Sequence, residues 1–220
     1  SIGQVFDVNN KNNAEIIFAV HFNKDIVNEG HTYWYDITNL TDESGQADAL
    51  VNCFTSGDTR KEMITYVKAE SKTYLMTKFL DTKNVSFNQV GNDQILLRYA
   101  DVVLMYAEAL NELGYDASES SIALKQLNAT RTRAGLTKLT AADVPTQESF
   151  RKAILDERQK EFPYEGHRWF DLVRMGYAKS VLAAQGLNIQ DYQLLFPIPQ
   201  TEIEKVGNPD ILWQNPGYDK

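Results

Sequence analysis

Between Glu161 and Gly176 the chain reads EFPYEGHRWFDLVRMG, a short stretch with two glutamates, a histidine, two arginines, a tryptophan and an aspartate. Several chemistries could use such residues. Glu157 and Glu161 stand four apart on a predicted helix, where Cβ atoms lie ~5–6 Å apart. A retaining glycosidase needs its carboxyls separated by about that much. Glycosidase carboxylates, however, flank the sugar from different elements, whereas two on one helical turn point the same way. Lys152–Asp156 and Asp156–Lys160 repeat the spacing, so the expectation is a solvated or salt-bridged helix. His167 and Asp171 are also four apart and could orient an imidazole for base chemistry. No nearby Ser, Thr or Cys carries a nucleophile motif, and His167 reads as a structural histidine. EGH lacks a second His at helical spacing, and His21 and His31 are remote, so no metal site is expected. Arg168, Asp171 and Arg174 read as an ion-pair ladder beside Trp169 and Phe170, specifying geometry more than adding stability. Arg98 and Asp101, three apart in an apolar stretch, read as a buried ion pair reaching Arg131, Arg133 or the Arg158/Glu161 face.

A different signal lies in HTYWYD, His31–Asp36. Three adjacent aromatics on a loop cannot all face one core. Tyr33, Trp34 and Tyr35 are therefore the candidates to stack on the C–H faces of a sugar, with polar neighbours binding hydroxyls. Arg60, in SGDTRKE, is the candidate to join them.

Composition limits the partners. The 220 residues can bury a sizeable core. A net charge of −8, with no Lys/Arg cluster apparent along the chain, argues against duplex nucleic acid. The single cysteine, Cys53, excludes an intrachain disulfide. No apolar run approaches the length of a membrane span.

The elements that would position these residues follow from periodicity. Residues 1–92 read as loop-rich, with a short strand within Ala14–Asn23 and a hairpin over Ile64–Asp81. From Asp93 the period becomes helical, with Leu96, Tyr99/Ala100, Val103, Tyr106/Ala107, Leu110 and Leu113 on one face, Asp93 as cap and Gly114 as stop. Asp116 and Glu119 form the expected capping box of a second helix, which closes at Gly135. The two make a tetratricopeptide-type helix pair without a second clear copy. A third helix is expected from Thr146 to Phe162, ended by Pro163. A fourth is expected over about Gly166–Met175 and a fifth over Ala178–Gly186. The tail, with four of the six prolines, reads as extended with one turn at Thr201–Lys205. The fold class is thus mainly α, a helix pair plus further helices with long loops and a small β-hairpin region. The expected organisation is a 1–92 region and a 93–220 helical region within one structural unit.

LLRYADVVLMYAEALNELG, LNATRTRAGL, AILDERQKEFPYEGHRWFDLVRMG, LFPIPQTEI and NPDILWQNPGY occur in this order. Together they resemble the C-terminal half of the SusD/RagB family of outer-membrane glycan-binding lipoproteins. The resemblance implies a SusD-like fold in which Arg98, Asp101, Glu165, His167, Arg168, Trp169 and Asp171 belong to the structural signature. It implies no catalysis and no cofactor, with calcium at a loop left open. It implies an oligosaccharide ligand and a partner, a SusC-type TonB-dependent outer-membrane transporter, at the cell surface. Membrane contact would run through a lipid anchor that this chain lacks. Family members are usually more than twice this long, so a C-terminal fragment or a short relative is expected. The alternative reading is a scaffold that docks the transporter without a ligand site of its own.

Overall fold

In this computed structural model the described residues are 2–23, 25, 26, 39–41, 50–68, 73–79 and 90–218. Tyr33, Trp34 and Tyr35 lie outside them. The chain forms two compact units, Ser1–Arg168 and Trp169–Lys220. Among the described residues no helix is long and apolar enough to cross a membrane.

The first unit is mostly helical with two small antiparallel sheets. It opens with a single helical turn, α1 (Ile2–Val5), and strand β1 (Ile16–Val20). Strands β2 (Asn39–Thr41), β3 (Ile64–Lys68) and β4 (Thr73–Met76) form a sheet in the order β2-β4-β3. The expected hairpin is therefore present, and it gains a third strand. Strand β5 (Gln94–Arg98) pairs with β1, with Ile16 opposite Arg98 and Val20 opposite Gln94. This ribbon ties the 1–92 and 93–220 regions into one sheet. Three helices follow: α2 (Tyr99–Leu113), α3 (Ile122–Arg133) and α4 (Gln147–Glu161). They pack against one another around Leu104, Ala107, Leu124, Leu127, Phe150 and Ile154, all buried. A second cluster joins Val5, Phe6, Met63, Phe79, Val90 and Ile95 beneath the ribbon, with the Phe6 and Phe79 rings edge to face at 5.0 Å.

Three helix expectations need correction. The helical run expected from Asp93 begins only at Tyr99, because Gln94–Arg98 is held in strand pairing with β1. Asp93 caps nothing; its carboxylate accepts from Lys11 Nζ at 2.7 Å and from the Phe22 amide at 3.2 Å. The buried stripe of α2 is Ala100, Asp101, Val103, Leu104, Ala107 and Asn111. Tyr99, Tyr106 and Leu113 sit on the outer side, Leu113 being 87% exposed. Ala100 and Ala107 face the neighbouring helices beside Val103 and Leu104, while the adjacent Tyr99 and Tyr106 point away. The capping box at Asp116 and Glu119 is also replaced. Ser121 caps α3, while Asp116 accepts from the Ser118 amide and Glu119 from the Ala141 amide. Thr146, where the third helix was expected to start, caps α4 in a reciprocal box with Ser149.

The second unit holds α5 (Arg168–Arg174, whose first residue closes the first unit), α6 (Ala178–Ala183) and α7 (Gln200–Val206). The tail expected to be extended thus contains a helix at the predicted turn. Gln214 exchanges two hydrogen bonds with the Ile198 backbone, at 2.7 and 2.8 Å, and the Tyr218 hydroxyl donates to Leu195 O at 2.8 Å.

Candidate functional site

The chemistry-bearing residues of the first unit converge on one buried ionic network. Its floor is the last turn of α4. There Glu157 and Glu161 face inward and are almost completely buried; of the two expected states they are salt-bridged, not solvated. The turn Thr59–Met63 brings in Arg60, and its position is fixed by backbone. Thr59 N donates to Ala134 O at 3.0 Å, just before Gly135. Gly135 has φ +82°, and a Cβ there would lie 2.9 Å from Gly57 O and 3.3 Å from Thr59 Cγ2. Only glycine allows the α3 terminus and this turn to meet so closely.

Arg60 is held on every side. Its Nε and Nη2 fork onto Asp58, both at 2.8 Å, while Nη1 donates to Glu157 at 2.7 Å and Glu161 at 3.0 Å. Burial opposes the charge, but Asp58, Glu157 and Glu161 outweigh it and raise Arg60 above the usual arginine range. The expectation that Arg60 joins a ligand loop is thereby corrected: it is 1% exposed and its donors are spent on carboxylates. Its i, i+2 spacing from Asp58 was the available signal, since a buried guanidinium needs such a partner.

Arg98 is the second hub, placed by β5. Its Nη1 donates to Glu161 Oε1 at 2.7 Å and its Nη2 to Glu161 O at 2.7 Å. Nε and Nη2 also fork onto Glu165 at 2.7 and 2.9 Å. Glu15 closes the set, accepting from Arg98 Nη1 at 3.2 Å and the Ala100 amide at 2.9 Å. The Arg98 guanidinium lies 4.4 Å from the centroid of the Phe162 ring, a cation–π contact. Arg98 and Asp101 are buried as expected and reach the expected Arg158/Glu161 face, but do not pair with each other: Arg98 takes Glu161, and Arg158 donates to Asp101 at 2.7 Å. Arg133 binds Glu161, and Arg131 reaches Glu157 at 3.4 Å.

Lys78 and Glu15 escaped the sequence reading altogether. Lys78 Nζ pairs with Glu165 and donates to Pro163 O at 3.1 Å. Burial pulls the Lys78 ammonium down to about 8 despite Glu165. Glu165 itself stays ionised: burial pushes it up, but Lys78 and Arg98 hold it below the usual carboxylate range. Glu161 behaves alike. Burial would raise it, yet Arg98, Arg133 and Arg60 bring it down to about 2.

A general acid needs a proton near neutral pH, hence a raised pKa, and access to substrate. Glu161 has the opposite of both. The arrangement holds strands and helices in register, and Glu161 is not poised there as a general acid. Burial pushes the Cys53 thiol up to about 11, which disfavours the thiolate a nucleophile needs. His167 stacks near Phe162 at 4.9 Å between ring centroids, a packing role. Arg168 Nη1 donates to Leu155 O at 3.1 Å, closing the end of the first unit. In the second unit Asp171 accepts from Arg174 Nη2 at 2.7 Å, one rung of the expected ladder, and Trp169 lies 6.0 Å from the Phe196 ring.

The SusD family model matches residues 65–218, which include Arg98, Glu157, Glu161 and Glu165. The chain belongs to the SusD family. The SusD-like protein P2 of Formosa agariphila is 35% identical over 140 residues, covering 58% of this chain and 26% of that protein. Among solved structures, the surface glycan-binding protein A of Bacteroides fluxus aligns with TM-score 0.75 and 27% identity, over 99% of this chain and 54% of that one. A SusD superfamily protein of Bacteroides fragilis aligns with TM-score 0.69 and 26% identity, over 100% of this chain and 54% of that one. The chain thus spans about a quarter of that curated relative and about half of each solved structure. Within the SusD fold, the EFPYEGHRW stretch supplies Glu161 and Glu165 to the network, and its place there is structural.

Proposed function

We propose that this chain is a non-catalytic oligosaccharide-binding component of an outer-membrane nutrient importer. Its partner is a SusC-type TonB-dependent transporter, and it works at the cell surface on a lipid-anchored protein. The observation that carries this reading is the likeness of nearly the whole chain to a surface glycan-binding protein within the SusD family. The committed state of Glu157 and Glu161 supports binding without bond cleavage. In this reading Tyr33, Trp34 and Tyr35 stack on the sugar. The experiment is calorimetry of the chain against plant, host and microbial oligosaccharides, repeated with Trp34→Ala. Binding is expected in at least one class and weaker in the variant. No heat with any oligosaccharide, from a chain shown to be folded, would overturn the reading; equal affinity in the variant would remove Trp34 from the site.

A further inference from the structure

One cleft of the first unit lies beside the ionic network and shares only Arg133 with it. It lies between the outer side of α3 and the 137–140 segment and has a volume of about 780 Å³. That falls within the usual ~300–1,000 Å³ of ligand sites. Its walls are fixed in advance. Asn128 donates to Leu139 O and accepts from Leu139 N, both at 2.8 Å, clamping the segment to α3. Glu119 accepts from the Ala141 amide at 2.6 Å and holds the segment's far end.

The charge of the cleft runs against that of the chain. The chain carries −8, yet the lining holds Lys125, Arg133 and Lys138 against the single carboxylate of Glu119. Arg133 is partly committed to Glu161. The side chains of Lys125 and Lys138 make no hydrogen bond or ion pair among the described residues, and both residues are exposed. Two free ammonium groups from different segments, converging on a preformed cleft, create a local positive field in an acidic protein.

We infer that this cleft binds an anionic oligosaccharide, one bearing carboxylate or sulfate groups, as a contact apart from the 31–36 loop. The inference rests on the oligosaccharide-binding reading and narrows it. The lining contains no aromatic ring, so stacking on an uncharged sugar has no platform there. It comes from a helix and a loop and offers no strand edge for a peptide to extend. Thr132 and Thr140 supply hydroxyls for the sugar's own hydroxyls, and the lysines supply point charges for its acidic groups.

The test is calorimetry of the full chain with four probes: oligogalacturonate, sulfated dextran oligomers, uncharged dextran oligomers of matched length, and oligoglutamate. A chain carrying Lys125→Ala with Lys138→Ala is compared with one carrying Lys61→Ala with Lys152→Ala, which changes net charge equally. The expected result is binding of at least one acidic sugar that weakens with salt, since exposed charges are screened within ~8–10 Å. It falls roughly tenfold in the Lys125/Lys138 variant, equivalent to about 1.4 kcal/mol, and not in the control. Binding of galacturonate or of sulfated dextran alone identifies carboxylate or sulfate as the recognised group. Acidic-sugar binding that is absent, or equal in both variants, overturns the inference. Oligoglutamate binding as tightly, with the same loss, replaces it with a peptide site. Uncharged or other oligosaccharides that bind independently of both lysines would sink this inference while leaving the oligosaccharide-binding reading standing.

Discussion

Helix α4 carries an ionic cluster at each end, built from the same residue types in different surroundings. At its start Arg151 meets Glu112 of α2 at 2.7 Å and Glu148 one turn away, in contact with water. At its end Glu157 and Glu161 meet Arg60 and Arg98 with virtually no exposure. Water competes for every partner in the first cluster, so its pairs are worth little. In the second, each charge depends on its neighbours for solvation, and removing one strands the others. The buried cluster therefore fixes geometry, joining the Thr59–Met63 turn, β5, α3 and α4 at one point.

The comparison breaks most readily at Glu161. Glu161→Ala strands Arg98, Arg133 and Arg60, and should cost ~3–5 kcal/mol, as for other broken buried pairs. Urea unfolding measures it; a loss within about 1 kcal/mol would put the buried cluster on a par with the exposed one. The next largest effect is acid sensitivity. Glu161 is lowered from 4.5 to about 2 in the folded chain. The unfolded chain thus takes up its proton first, and the stability gained, on the order of 3 kcal/mol, is fully present above about pH 4.5 and lost as pH falls towards 2. Unfolding midpoints across that window should show the loss, and Glu161→Gln should flatten it. Gly135→Ala comes third. It forces a side chain into φ +82° and against Gly57 O, with an expected cost of ~1–3 kcal/mol and a lowered thermal midpoint. Arg151→Ala should change stability by less than ~1 kcal/mol, less again in high salt. A larger change there would erase the contrast.

The two clusters also show how far sequence reaches. The i, i+4 spacing placed Glu157 and Glu161 on one face but could not say that the face points inward. Lys152, Asp156 and Lys160 offered equally good local pairs, and the deciding partners, Arg60 and Arg98, lie far away along the chain. Thr146 was legible because a cap is a local event with a local partner, Ser149. Asp93 misled because strand pairing with β1 overrode a helical pattern in QILLR. On α2 the helical period correctly picked out Ala100, Val103 and Ala107, but it could not separate them from Tyr99, Tyr106 and Leu113, which lie outside. The family's residue blocks carried the mainly helical fold correctly, since they record many such distant contacts together. The proposal of Tyr33, Trp34 and Tyr35 as ligand residues rests on chemistry alone, and the burial of Arg60 follows from Asp58, which a loop reading ignores.

The central claim is that a chain with its inward carboxylates locked in ion pairs binds sugar and leaves it whole. The most direct measurement incubates the folded chain with an oligosaccharide that it binds by calorimetry and separates the products by chromatography. The account predicts intact oligosaccharide, with no new reducing ends, at full occupancy and near-neutral pH. Shortened products that disappear in Glu161→Gln would contradict it and return Glu157 and Glu161 to a catalytic role.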